Sequence, residues 1–362
     1  MAFLDRVLQA PSYGWMDKNG ELIKPTTRQS FNEFFSRLNV IKDKRNWLSF
    51  FSWLKVLCLA PFFTLFLVQY FNLYTLLIAF LYSMIIMGTH GTIWHHRYCT
   101  HGAYKFRNHF WRFFTQNLTL NVIPEEIYVI SHHVHHSKSD KPGDPYNAYG
   151  GFLYCFLADV NHQPIAKNLS EQDYNRVKLL MLHTGVKANS YKQYKRWGSY
   201  VHPGRAVLSW ILNWAFWGTV FYLLGGPALL CCLFGAAGFW AVGVRTFNYE
   251  GHGKGSGVQR EGIDFNTKDK SVNQIWPGIV AGEWHNNHHL FPKSARSGFK
   301  PMQIDLAWVY IRTMNFLGAV SSYKDNKKQF NELYYLPELA RKKQSAIEKI
   351  ALCKSLKEQN QA

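Results

Sequence analysis

The chain has 362 residues, with 41 Lys and Arg against 23 Asp and Glu and a formal net charge of +18. Its mean hydropathy of −0.21 resembles that of a soluble protein, but 17% of the residues are aromatic, and the average blends long apolar runs with very basic loops. The charge lies along loops beside those runs with no nucleic-acid motif, which sets nucleic acid aside and points to anionic lipid heads and acidic partners. The six cysteines (Cys58, Cys99, Cys155, Cys231, Cys232, Cys353) show no CxxC spacing, which argues against a disulfide framework or a zinc ribbon.

Residues 1–47 are polar and mixed, a cytoplasmic N-terminal arm without the pattern of a secretory signal. Four apolar stretches follow, at about 48–69, 74–94, 206–224 and 227–247, each near the roughly 20 residues that cross a bilayer core. The first contains Lys55 and Pro61, which leaves its start open, and it would act as an uncleaved signal anchor. Buried helices of a soluble domain are the competing reading, disfavoured by four such stretches in two closely spaced pairs. The pairs read as two hairpins, turning near Gln69 to Tyr74 and near Gly225 to Pro227. Neither turn holds a basic residue, whereas 39 of the 41 lie in 1–47, 95–205 and 249–362. The positive-inside rule then places both termini and the long middle loop in the cytoplasm. Ile304 to Val320, interrupted by Asp305 and Arg312, fits an interfacial helix better than a fifth span. Leu336 to Ala362 reads as a lysine-rich amphipathic helix. The expected fold is an all-α integral membrane protein. Its domain, 48–320, would have four transmembrane helices as two hairpins and a cytosolic helical cap holding a di-metal site, followed by a basic cytoplasmic tail, 321–362.

Three histidine clusters carry the chemistry: His96-Arg-Tyr-Cys-Thr-His101, His132-His-Val-His135-His136 and His285-Asn-Asn-His288-His289. They are one HxxxxH and two HxxHH boxes, holding eight of the 16 histidines. A random chain of this composition would show one HxxHH only roughly 3% of the time, so two of them are a strong signal. All three boxes fall in the segments assigned to the cytoplasm. On a helix, positions i, i+3 and i+4 share a face, so each HxxHH box is expected to offer three nitrogens together. His96 and His101 lie about 140° apart around an α-helix and are expected to serve two different metals, or to sit where the helix leaves the membrane. Eight imidazoles exceed one ion's needs, and two ions are the economical solution. His252, four residues after Asn248 and just past the fourth stretch, is a candidate ninth nitrogen, with a solvated loop histidine as the alternative. His90, His95 and His133 read as structural, and His202-Pro-Gly-Arg205 as a helix-entry turn. No HExxH or Glu-x-x-His pair is present, which argues against the common zinc-protease and ferritin-type sites. All-imidazole sites favour a redox metal used with oxygen, iron first, without excluding zinc or copper.

At these residues the sequence resembles the membrane fatty-acid desaturases, specifically the Δ9-type acyl desaturases. The resemblance runs from about Thr89 to Tyr323. It rests on His-His-Arg-Tyr-Cys-Thr-His (95–101), on His-His-Val-His-His (132–136) followed by Gly-Asp-Pro-Tyr-Asn (143–147), and on Gly-Glu-Trp-His-Asn-Asn-His-His (282–289). It implies an O2-dependent enzyme with two iron ions that removes two hydrogens from a long acyl chain held in a bent tunnel. The implied ligands are His96, His101, His132, His135, His136, His252, His285, His288 and His289, with Asn248 acting through water. Asp144 would fix an imidazole tautomer. Phe80 and Met84, one helical turn apart on the second stretch, match positions that line the tunnel's far end, with core or lipid packing as the alternative reading. The third box has one glycine fewer than the usual Gly-Glu-Gly, and its flanks look closer to bacterial and plant members. That favours a bacterial inner membrane over the endoplasmic reticulum and leaves the acyl carrier open between CoA, a phospholipid and a carrier protein. The electrons would come from an acidic donor such as cytochrome b5 or ferredoxin. The rival readings are a hydroxylase or other oxidase of acyl or alkane chains on the same scaffold and, outside enzymes, a membrane metal transporter.

Overall fold

The computed structural model describes residues 2–161, 164–256 and 258–359, so the last three residues of the expected tail lie outside the described part. Among the described residues, three helical runs are long and apolar enough to cross a membrane: Lys44–Tyr70 of 27 residues, Leu73–Thr100 of 28 and Pro203–Gly251 of 49. The first two form a pair whose turn is capped by Asn72, with its side chain accepting from the Thr75 N–H. A short helix, α1 (Thr27–Leu38), precedes them; the two long runs are α2 (Lys44–Tyr70) and α3 (Leu73–Thr100).

The third run begins with a long helix that is not straight. Gly225 and Gly226 leave helical geometry inside it, Gly226 at φ +63°, and Pro227 follows. Proline cannot donate to the turn before it, and only glycine adopts Gly226's backbone without strain. The chain folds back there: the Trp214 and Phe234 rings are 5.5 Å apart, although twenty helical residues would separate them by about 30 Å. The hairpin expected at Gly225 to Pro227 is therefore present inside one helical run. At its entry the His202 side chain accepts from the Gly204 N–H, the helix-entry role expected of it.

Apolar side chains of these runs gather in one core that includes Leu59, Tyr82, Phe221, Cys232 and Trp240. Others face outward, among them Val68, Leu73 and Leu223. A second core of buried residues lies where α3 ends, built from Ile93, Trp94, Tyr98, Val129, Ile130, Tyr174, Trp308 and Ile311. Val7 and Leu8 belong to it, and Arg6 pairs with Asp173 at 2.7 Å, so the expected N-terminal arm packs into the molecule.

The described residues include one small sheet. Strand β1 (Tyr104–Phe106) pairs antiparallel with β2 (Val320–Tyr323), Tyr104 opposite Tyr323. This ties the exit from the first histidine box to the far end of the sequence, and the expected domain boundary at 320–321 falls inside β2. Between them run α4 (His109–Gln116) and α5 (Glu125–Lys138), α6 (Pro203–Gly243) and α7 (Phe247–Gly251). Beyond those come α8 (Ile275–Ala281), α9 (His285–Leu290) and α10 (Leu306–Phe316). α10 occupies the segment expected to be interfacial: Ala307, Trp308, Ile311 and Met314 are buried, while Val309 and Phe316 are exposed. The final helix, α11 (Leu336–Gln359), lies on the surface.

Candidate metal centre

Nine histidines converge where α3, α5, α7 and α9 meet. His96, His101, His132, His136 and His288 form one group, and His135, His252, His285 and His289 a second. Within each group the ring nitrogens lie within 4.8 Å of one another. These are the nine histidines singled out in the sequence, His252 included.

How they are shared between the groups differs from expectation. His96 and His101 sit in the same group, with ring centroids 5.1 Å apart. The last part of α3, Thr92–Thr100, is π-helical, and the His101 N–H donates to the His96 carbonyl at 3.2 Å. That i→i+5 bond stacks residues five apart, where an α-helix would splay them. The HxxHH boxes are divided as well. His132 and His136, at i and i+4, go to the first group and His135 to the second; His285 and His289 go to the second and His288 to the first. Each box thus serves both groups instead of presenting three nitrogens to one.

Carboxylates set the orientation of the rings. The Nδ1 atoms of His96, His135, His252 and His289 meet Glu283 at 3.0 Å, Asp144 at 2.9 Å, Asp140 at 3.0 Å and Asp269 at 2.7 Å. A neutral imidazole that donates Nδ1–H to a carboxylate keeps its Nε2 lone pair for a cation. The Nε2 atoms do face inward. His288 Nε2 lies 2.8 Å from that of His96 and 2.9 Å from that of His136, and His285 Nε2 lies 3.1 Å from that of His252. The Nε2 atoms of His101, His135 and His289 are buried with no hydrogen-bond partner. A buried polar atom without a partner is costly, and a cation at each group would satisfy these lone pairs. The donor set, nitrogen only and backed by carboxylates, fits iron, copper or zinc.

The electrostatics agree. Burial first, then the neighbouring imidazoles, push His132, His136, His288 and His289 well below the usual histidine range, and His285 is lowered to about 4. These rings are neutral at pH 7, as ligands must be. His135 is the exception. Burial opposes its charge, but Asp144, Asp140 and Asp269 together outweigh burial and raise it. Burial likewise pushes Glu283 up, yet His96, His285 and Arg97 hold it well below the usual carboxylate range.

Of these four carboxylates, Asp144 is the one expected from the sequence; Glu283, Asp140 and Asp269 emerge from the structure. Two signals were available. Glu283 stands inside the third motif, and Asp140 follows His136 by four residues. Asp140 also holds φ +62°, a left-handed conformation uncommon outside glycine and a frequent mark of functional sites; its carboxylate accepts from the Lys270 N–H at 2.6 Å as well as meeting His252. Gly251 is a further contributor, since a β-carbon there would lie 2.8 Å from His285 Cδ2.

The histidines read as structural are occupied elsewhere. The His90 Nε2 donates to the Thr115 carbonyl at 2.8 Å and its Nδ1 accepts from the Thr119 hydroxyl at 3.0 Å. His95 Nε2 meets the Ile123 carbonyl at 3.2 Å, and His133 binds the Leu180 backbone.

A cavity of about 740 Å³ opens beside the first group, within the roughly 300–1,000 Å³ typical of small-ligand sites. His95, His96, Tyr128 and Glu283 wall its metal end, and Met84, Trp240 and Trp276 are apolar walls farther along; Asn273, Gln274 and Arg260 are polar. Met84 lines it. Phe80 is absent from its lining; its ring lies 5.8 Å from that of Trp276, tilted by 42°. Asn248 lines a separate cavity of about 80 Å³ with Tyr128 and Tyr146.

Comparison with known proteins agrees with this geometry. The chain is 28% identical over 262 residues to an icosanoyl-CoA 5-desaturase of Limnanthes douglasii, covering 68% of this chain and 65% of that one. It is 32% identical over 200 residues to a Delta-9 desaturase-like 4 protein of Arabidopsis thaliana, covering 54% and 59%. It is 27% identical over 262 residues to an sn-1 stearoyl-lipid 9-desaturase of Anabaena variabilis, covering 70% and 85%. The matches to the first two therefore span less than two thirds of those relatives' own length. Residues 71–303, a stretch that contains all nine histidines, match the family model described as fatty acid desaturase, and the chain belongs to that family.

Proposed function

We propose that the protein is an integral-membrane acyl desaturase that introduces a double bond, at Δ9, into a long-chain fatty acyl substrate. The observation that carries this reading is a largely apolar cavity ending at His96 of the first imidazole group and at Glu283, which backs it, with the second group adjoining the first through His136 and His289, whose rings are 4.5 Å apart. Two iron ions, when bound, would supply the oxidant made from O2. Overall, two hydrogens leave adjacent carbons, and O2 becomes two waters with two external electrons and two protons. His96, His101, His132, His136 and His288 would hold one ion, and His135, His252, His285 and His289 the other, with Asn248 reaching one of them through water.

The chain's own residues have three tasks. Glu283, Asp144, Asp140 and Asp269 hold the rings in one tautomer and aim. The buried walls exclude water from a strong oxidant. Met84 and Trp276, with Phe80 in ring contact with Trp276, would close the apolar part of the cavity and so limit chain length. The three apolar runs, the last folded at Gly225 and Gly226, would cross the bilayer as four spans, with the metal groups and both termini on the cytoplasmic side, of a bacterial inner membrane by the sequence's leaning. The net charge of +18 suits an acidic electron donor, cytochrome b5 or ferredoxin, docking on that side. The names of two relatives, a CoA desaturase and a lipid desaturase, frame the choice of acyl carrier.

The test is expression in a desaturase-deficient host, followed by gas chromatography of its fatty acids. A new monounsaturated chain that depends on the histidines is the expected result. Absence of any unsaturated product with iron, oxygen and a donor supplied would overturn the reading, and a stable hydroxylated product would replace it with a hydroxylase.

A further inference from the structure

The positive-inside rule assigns the whole of 95–205 to the aqueous side, yet part of it is hydrogen-bonded deep against the apolar helices. α4 (His109–Gln116) is followed by an irregular stretch, 117–124. Its backbone partners come from side chains in the interior of α3 and α6. Asn213 Oδ1 accepts from the Asn121 N–H at 2.8 Å, and Asn213 Nδ2 donates to the Thr119 carbonyl at 3.1 Å. Trp214 Nε1 donates to the Asn121 carbonyl at 3.2 Å and Trp217 Nε1 to the Asn117 carbonyl at 3.0 Å. From α3, Tyr82 OH accepts from the Leu120 N–H at 3.4 Å, and His90 takes Thr115 and Thr119. Asn213 and Trp217 lie ten and fourteen residues beyond Pro203, about 15 and 21 Å along the helix. Leu120 and Val122 belong to the apolar core of the long helices.

Polar side chains inside an apolar span are expensive, and irregular backbone at membrane depth survives only where protein satisfies it. Here each accounts for the other. The face of α4 that could meet lipid is apolar: Phe110, Phe113 and Phe114, at i, i+3 and i+4, are 63, 64 and 42% exposed. On α6, Leu212 and Phe216, next to Asn213 and Trp217, are also exposed. Arg112, on the opposite face of α4, packs against Gly185.

We propose that 109–121 is a re-entrant element, with α4 and the loop after it dipping into the bilayer from the metal side and Phe110, Phe113 and Phe114 facing lipid acyl chains. The element closes the bundle between α3 and α6 and widens its lipid-facing surface on that side. The inference rests on the long helices crossing the bilayer as proposed above.

The test uses the full chain with Cys353→Ser, into which Phe113→Cys, Leu212→Cys or Lys105→Cys is introduced. Each is labelled with bimane and reconstituted in phosphatidylcholine vesicles with or without brominated acyl chains, with the unsubstituted Cys353→Ser protein as blank. Phe113→Cys should be quenched as strongly as Leu212→Cys, and Lys105→Cys, on the exposed edge of β1, should not be. A membrane-impermeant maleimide should label Lys105→Cys at least tenfold faster than Phe113→Cys. Unquenched Phe113→Cys beside quenched Leu212→Cys overturns the re-entrant element alone. Unquenched Leu212→Cys overturns the reading of the spans, and this inference with it. Because Phe113 is exposed, its replacement removes little packing, and Phe110→Cys repeats the measurement independently.

Discussion

His289 shows what one residue of the centre requires. Its Nδ1 is held by Asp269 at 2.7 Å, and its Nε2 is buried without a partner. Replacing Asp269 with Asn keeps the shape but removes the charge that orients and strengthens the imidazole as a ligand. We expect Asp269→Asn to weaken metal binding about 10–100-fold, measured by metal titration of the purified protein. His90→Gln should leave metal content unchanged, since both nitrogens of His90 serve Thr115 and Thr119. Gly251 makes a sharper case. Its missing β-carbon is what lets α7 approach His285, because one would lie 2.8 Å from the ring. Gly251→Ala should displace His285 from the group of four and leave the group of five intact. The expected result is loss of about half the bound metal, checked by elemental analysis. Neither the role of Gly251 nor that of Asp269 was legible in the sequence, because each depends on a residue that meets it only after folding.

Among the elements, α3 departs most from what its residues announce. Its apolar run and the box at its end are plain in the sequence, but the spacing of His96 and His101 reads correctly only once Thr92–Thr100 is known to be π-helical. Periodicity assumes 3.6 residues per turn, and a local widening changes which residues share a face. A second π-helical stretch, Leu81–Met87, carries Met84 to the cavity wall. Met84 lines the cavity, while Phe80 meets it only through Trp276. Met84→Ala should therefore shift preference toward longer acyl chains, and Phe80→Ala should do so more weakly, by loosening Trp276. Product chain lengths from gas chromatography decide this; unaltered selectivity in the double substitution would remove both residues from the tunnel. Metal content should not change in either, because neither residue belongs to the histidine groups.

At the scale of the molecule, the nine histidines span the sequence from 96 to 289 and bring α3, α5, α7 and α9 to one point. Nine buried imidazoles, most of them held neutral, crowd lone pairs together and contribute little cohesion by themselves. Metal that binds the folded chain and not the unfolded one stabilises it by RT ln(1 + [L]/Kd), about 1.4 kcal/mol for each tenfold excess over Kd. Chelation should lower the thermal midpoint of the detergent-solubilised protein, and restoring iron should raise it again, as followed by intrinsic fluorescence. An unchanged midpoint would mean that the groups hold no ion that matters to folding.

Histidine chemistry, run length and Gly-Gly-Pro act locally, so the candidate metal-binding residues, the apolar runs and the turn of the second hairpin were all legible before folding. The nine histidines could be named from their spacing and a family resemblance. How they divide into five and four, which carboxylates steer them, and that 109–121 is hydrogen-bonded against the long helices were decided only by tertiary structure. Those features join residues up to 192 positions apart, as with His96 and His288, through the π-helical winding of α3 and the hydrogen bonds of Asn213, Trp214 and Trp217. No local pattern encodes a partner that far away.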